Sequence, residues 1–230
     1  NRLFIDDVVW VSTSLLASRV YLFIALKRIR INWRHKTDFK HRLLQFGLRG
    51  HIGAIAPLDN LRLDQLAASI FLAPSALGLY SVAYAFTNLP KFLSQSAGMV
   101  SYPEIARQKI SGHGNRLLWR YFWGVTGLNV TVTLALFVAI PFLIPLLFGQ
   151  QFIGSIPIAQ ILLIGATFAA SGRILIDGLR GLDKPQLSTL SEFSMYPWLL
   201  TGGVFLMLRY GINGLAAGVA IAYALSLAVS

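Results

Sequence analysis

No cysteine occurs among the 230 residues, which excludes disulfide frameworks, cysteine zinc sites and thiol catalysis and leaves the redox compartment unread. Charge is scarce as well: Asp, Glu, Lys and Arg make up 13% of the chain, against about a quarter in soluble domains. So few charged side chains cannot coat a water-facing surface. With 55% hydrophobic residues and a mean hydropathy of +0.62, the chain reads as an all-α integral membrane protein rather than a soluble enzyme or a disordered segment. Enzyme templates are missing too, with no HExxH, P-loop, GxSxG or GxGxxG after a strand. The four histidines, His35, His41, His51 and His113, have no carboxylate cluster beside them, so neither a metal nor a cofactor is expected.

What is abundant is long apolar runs. A membrane helix needs about 20 of them in a row, and seven stretches qualify: 8–26, 43–72, 76–100, 121–147, 156–176, 187–208 and 212–229. None alternates with period two, which excludes barrel strands. The chain starts at Asn1 rather than Met and stops inside an apolar run, so a piece of a longer protein is expected.

Acidic residues number nine against 20 Lys plus Arg, a net charge of +11. Their placement matters more than their number. The connections 27–42, 101–120 and 180–184 carry thirteen Lys and Arg, whereas 73–75, 148–155 and 209–211 carry one. That asymmetry predicts a cytoplasmic basic side, and accounts for the charge through cytosol and anionic headgroups without any nucleic acid.

The stretch 43–72 is the most informative, because ionisable groups inside hydrocarbon cost about 2.5–3.5 kcal/mol each and face protein or water. At about 100° per residue, His51, Asp59 and Arg62 share one arc and Arg49 and Asp64 another, subject to a bend at Pro57. These five residues predict a cavity-lining helix that offers cations to an anionic or polar substrate; ion pairing of Asp59 with Arg62 is the structural alternative. Arg19 is a further cavity candidate. Arg173, Asp177 and Arg180 have the spacing of a locally paired helix end. Glu192 is positioned either to relay a proton or to face water. The GxxxG of Gly214 and Gly218 predicts close helix packing.

The segments GLRGHIG (47–53), LRLDQ (61–65), ALGLYSVA (76–83) and YPEIA (102–106), followed by LLFGQQF (146–152) and GLRGLDKP (178–185), resemble polysaccharide and O-antigen repeat-unit flippases of the multidrug/oligosaccharidyl-lipid/polysaccharide exporter superfamily. The likeness covers about 190 of the 230 residues. It implies one lobe of a two-lobe alternating-access bundle: 1–26 as the last helix of an N-terminal lobe, 27–42 as a basic cytoplasmic inter-lobe loop and 43–230 as a C-terminal lobe of six helices. It further implies a multi-pass protein of the bacterial inner membrane that translocates an undecaprenyl-diphosphate-linked oligosaccharide. Membrane lipids, a polysaccharide polymerase and assembly proteins would be its partners. A cation-coupled multidrug exporter of the same superfamily is the alternative, and a membrane-embedded transferase a more remote one.

The charge asymmetry generates the first prediction. Single cysteines at Lys36, His113 and Asp183 should be protected in intact cells from a membrane-impermeant thiol reagent, and cysteines at Ser75 and Gln150 labelled. Labelling of the first group would reverse the orientation.

Overall fold

The computed structural model describes residues 58, 62–109 and 112–230, which all lie in the second of two compact units, Gln45–Ser230. The expected helix over 8–26, the basic loop 27–42, the domain bounds, and Arg19, Arg49, His51 and Asp59 fall outside the described residues. Within them every regular element is helical: α1 (Leu63–Phe71), α2 (Pro74–Ala85), α3 (Asn88–Lys109), α4 (Gly114–Phe148), a 3₁₀ turn (Gln150–Phe152), α5 (Ser155–Gly181), α6 (Pro185–Phe193), α7 (Met195–Trp198), a π turn (Leu199–Gly203) and α8 (Val204–Val229). The chain is an all-α membrane protein.

The surface explains why. α4 turns Phe142 (75% exposed) and Leu146 (78%) outward together with Leu134 and Val138, yet buries Asn129 and Thr133. Apolar outside and polar inside is the reverse of a water-soluble helix, and a continuous apolar exterior of this kind requires a lipid-like surrounding. Among the described residues, three helical stretches are long and apolar enough to cross a membrane: Gly114–Phe148, Ser155–Gly181 and Gln186–Val229.

The last of these is a hairpin. Gly211 (φ 61, ψ −138) interrupts α8 in a backbone region that only glycine enters cheaply. Ser191 donates to the Ser226 carbonyl at 2.8 Å and the Trp198 indole to the Gly218 carbonyl at 2.9 Å, so the two arms run antiparallel from an apex near Tyr210. The turn expected at 209–211 is therefore where the chain reverses. The GxxxG glycines face the other arm: a Cβ on Gly218 would stand 2.9 Å from the Gly203 Cα, and one on Gly214 would strike the Leu206 carbonyl.

Three expectations need correction. The stretch 43–72 is not helical through Arg62, which has φ 47 and ψ 47 and precedes the first turn of α1. A left-handed residue redirects the chain, so the common wheel on which Arg62 and Asp64 were placed does not apply. The stretch 76–100 is two helices broken at Phe86–Thr87. Pro90, which has no N–H to offer the Phe86 carbonyl four residues back, favours the break there. Finally, the basic connection 101–120 is mostly helical, since α3 runs to Lys109 and α4 starts at Gly114.

α5 is the axis on which the rest packs, touching α2, α3, α4, α6 and α8. Small residues make this possible: a Cβ on Gly165 would lie 2.8 Å from the Ala220 Cα, and one on Gly178 would collide with Leu118. Hydroxyls join the α4 and α5 backbones into one seam, Thr126 donating to Ser171 at 3.0 Å and Thr133 bonded to Thr167 at 2.8 Å. Each such bond contributes about 0.6 kcal/mol between helices in a membrane. The helix ends sort into two sets. Gly181 abuts Tyr102 and Ile105 at the end bearing most of the described basic residues, and Gly154 abuts Leu79 at the other.

These contacts predict that Gly165→Ala, which drives a methyl into the α8 backbone, lowers stability by about 1–3 kcal/mol. Gly127→Ala, with nothing within 4 Å of the added carbon, should be neutral or stabilising by up to about 1 kcal/mol. Unfolding of the detergent-solubilised protein measures both.

Candidate functional site

The break between α2 and α3 creates the site. At its edge the Tyr84 carbonyl takes the Thr87 N–H at 3.0 Å and the Thr87 hydroxyl at 2.7 Å, which closes α2 and lets α3 restart at Asn88. From there Asn88, Lys91, Phe92 and Gln95 follow one another at helical i, i+3, i+4, i+7 spacing, so α3 presents a carboxamide, a cation, an aromatic ring and a second carboxamide along one face. All four line a cavity of about 320 Å³ whose other walls include Arg62, Tyr84, Ser94 and Arg173.

Lys91 is held with unusual definition. Its ammonium donates to the Tyr84 hydroxyl at 3.0 Å and to the Tyr223 hydroxyl at 2.9 Å, and lies 4.8 and 5.0 Å from the centroids of the two rings. Arg62 stacks on the same Tyr84 ring at 5.0 Å. One tyrosine thus supports two cations, a geometry in which the ring quadrupole attracts each cation while the cations repel one another. Arg173, the third cation, donates to Asp177 at 3.1 Å, and Arg180 reaches the same carboxylate at 3.5 Å. The pairing expected from the spacing of these three residues is present. It does not remove Arg173 from the cavity wall.

The wall carries Arg62, Lys91 and Arg173 and no carboxylate among the described residues. Asp64, only two residues from Arg62, points elsewhere. It is 2% exposed, accepts the Tyr80 hydroxyl at 2.6 Å, and borders an apolar pocket of about 190 Å³ between α1 and the hairpin. Arg49, His51, Asp59 and Arg19 lie outside the described residues. Glu192 does not face water: it is 7% exposed and lines a small void behind Arg173 and Tyr223. No group of three or more His, Cys, Asp or Glu comes together among the described residues.

Lys91 is not among the site residues nominated from the sequence, although a cation inside an apolar stretch with carboxamides one turn to either side is a signal that could have found it. Tyr223 has no such signal, because 132 residues separate it from Lys91.

Comparison with known proteins places these observations in context. Residues 8–157, about two-thirds of the chain, match the model of a family described as polysaccharide biosynthesis protein. An uncharacterised membrane protein of Methanocaldococcus jannaschii is 24% identical over 237 residues, an alignment that takes in 97% of this chain and 46% of that protein. The chain spans about half the length of this curated relative. No solved structure matches.

The buried carboxyl provides a stability test. Tyr80→Phe removes a buried side-chain donor to Asp64 and should cost about 1–3 kcal/mol, the penalty of a less satisfied buried acceptor. Asn88→Ala at the exposed cavity wall should change stability by about 0.5 kcal/mol or less. Denaturant titration of the two variants side by side checks the contrast.

Proposed function

Because the chain belongs to the polysaccharide biosynthesis protein family, we propose that it is one lobe of a transporter that moves a polyprenyl-diphosphate-linked oligosaccharide across the cytoplasmic membrane by alternating access. The carrier lipid is undecaprenyl in a bacterial host. The observation that carries this reading is that Arg62, Lys91 and Arg173 come together on the wall of one cavity. Cations gathered on one wall repel one another, and a diphosphate between them offsets that repulsion through charge-assisted hydrogen bonds. Asn88 and Gln95, with donors and acceptors on each carboxamide, lie beside Lys91 where hydroxyls of a sugar adjoining the diphosphate would fall. The polyprenyl tail stays in the lipid against the exposed apolar faces.

The same wall favours this substrate over a cationic drug, which would need carboxylates. Among the described residues it holds no acid/base pair of the kind glycosyl transfer uses, and the role proposed is translocation. The second lobe, a multi-pass topology with the basic ends in the cytosol, and cooperation with a polysaccharide polymerase and assembly proteins complete the proposal.

In the full-length protein, Lys91→Ala and Arg62→Ala should each reduce surface glycan roughly 10–100-fold, the equivalent of one lost charge-assisted phosphate contact. Membrane abundance should remain normal. Lys91→Arg should retain part of the activity through its charge. Undiminished glycan from the two alanine variants would refute an anionic substrate in this cavity.

A further inference from the structure

Far from the cavity, the start of α4 carries a face that the transport reading does not use. Arg116, Trp119, Arg120 and Trp123 fall within an arc of about 100° of that helix, and all four are exposed. Trp119 is 51% and Trp123 67% exposed. The indoles are nevertheless fixed. Buried Phe122 makes edge contacts with Trp119 at 5.4 Å (87°) and with Trp123 at 5.1 Å (74°), gripping one ring on each side. Two indoles have no reason to stand in bulk water, and two arginines have none to stand in hydrocarbon. The face fits only the boundary where acyl chains meet phosphates.

The charges specify which headgroup. Neither arginine makes an ion pair among the described residues. As like charges at i,i+4 they repel, and Arg116 sits in the first turn of α4, at the end where the helix dipole disfavours cations. Arg120 also rims a crevice of about 360 Å³ lined by Leu117, Tyr121, Gly124 and Glu104. Glu104, on the same crevice, accepts the Tyr121 hydroxyl at 2.8 Å and forms no salt bridge with Arg120. A single phosphate between the arginines relieves all three penalties. A zwitterionic headgroup would bring a further cation with its phosphate; an anionic one does not.

We propose that the Arg116–Trp119–Arg120–Trp123 face of α4 is a binding site for an anionic phospholipid, with the phosphate between the two guanidinium groups and the acyl chains against the two indoles. This site is independent of what the cavity transports.

The test uses the full-length protein in phosphatidylcholine nanodiscs containing a minor fraction of brominated lipid, either phosphatidylglycerol or phosphatidylcholine. The difference in fluorescence between the unaltered protein and Trp119→Phe/Trp123→Phe isolates the two indoles. Brominated phosphatidylglycerol should quench that signal roughly threefold more than brominated phosphatidylcholine. Arg116→Gln/Arg120→Gln should abolish the difference, and Arg116→Lys/Arg120→Lys, which keeps the charge, should preserve it. Equal quenching by the two lipids in the unaltered protein would overturn the proposal, as would a preference that survives the glutamine variant. Loss of the preference in the lysine variant would overturn it too, by tracing the effect to altered folding and not to charge.

Discussion

Two helices can approach closely only where the side chains between them are small, and in this molecule α5 supplies that condition along its length. Gly165, Gly178 and Gly181 each leave a neighbour where a methyl would stand. Lipid tails are as apolar as leucine, so burial of hydrocarbon does little to drive helix association; backbone proximity and the dispersion contacts it allows must do so instead. Once α3 and α4 are drawn against α5, Ser94 meets Asn129 at 2.9 Å and Ser171 meets Thr126. Polar side chains that would be costly on a lipid-facing surface become links between helices.

The cavity follows from the same geometry. α3 and α5 pack together, yet α3 begins only after a break, which leaves α2 as a separate short helix and opens a space at their junction. Lys91 occupies that junction. Its two tyrosine acceptors come from α2 and from the second arm of the hairpin, so one ammonium ties three elements that the chain visits far apart. Desolvating an ammonium is expensive unless its donors find acceptors, and the two hydroxyls together with the faces of their rings supply part of what Lys91 needs.

Much of the architecture was legible in the sequence because membrane helices announce themselves through length and composition. The apolar stretches at 121–147 and 156–176 lie inside α4 and α5, and the reversal at Gly211 sits in the turn expected there. What misled was continuity. Hydropathy is blind to a left-handed residue such as Arg62 and to a proline such as Pro90 that favours a helix break without lowering apolarity, so an unbroken span was expected where the backbone turns. Of the nominated residues that the structure describes, Arg62 lines the cavity and Asp64 does not, and the membership of Lys91 and Arg173 depends on tertiary contacts. Asp64, the neighbour but one of Arg62, is sequestered by Tyr80. Tyr223 has no local pattern to reveal it.

The left-handed backbone at Arg62 restricts which residues position 62 can host. Outside glycine, a conformation with φ 47 is tolerated by unbranched side chains and resisted by valine, isoleucine and threonine. An exhaustive set of substitutions there would therefore sort along two separate axes. Lysine retains both cation and backbone, glycine retains only the backbone and relaxes it, and a β-branched residue forfeits both. Comparing glycine with valine isolates the shape of the chain from the charge it carries, a separation that the usual alanine replacement does not achieve.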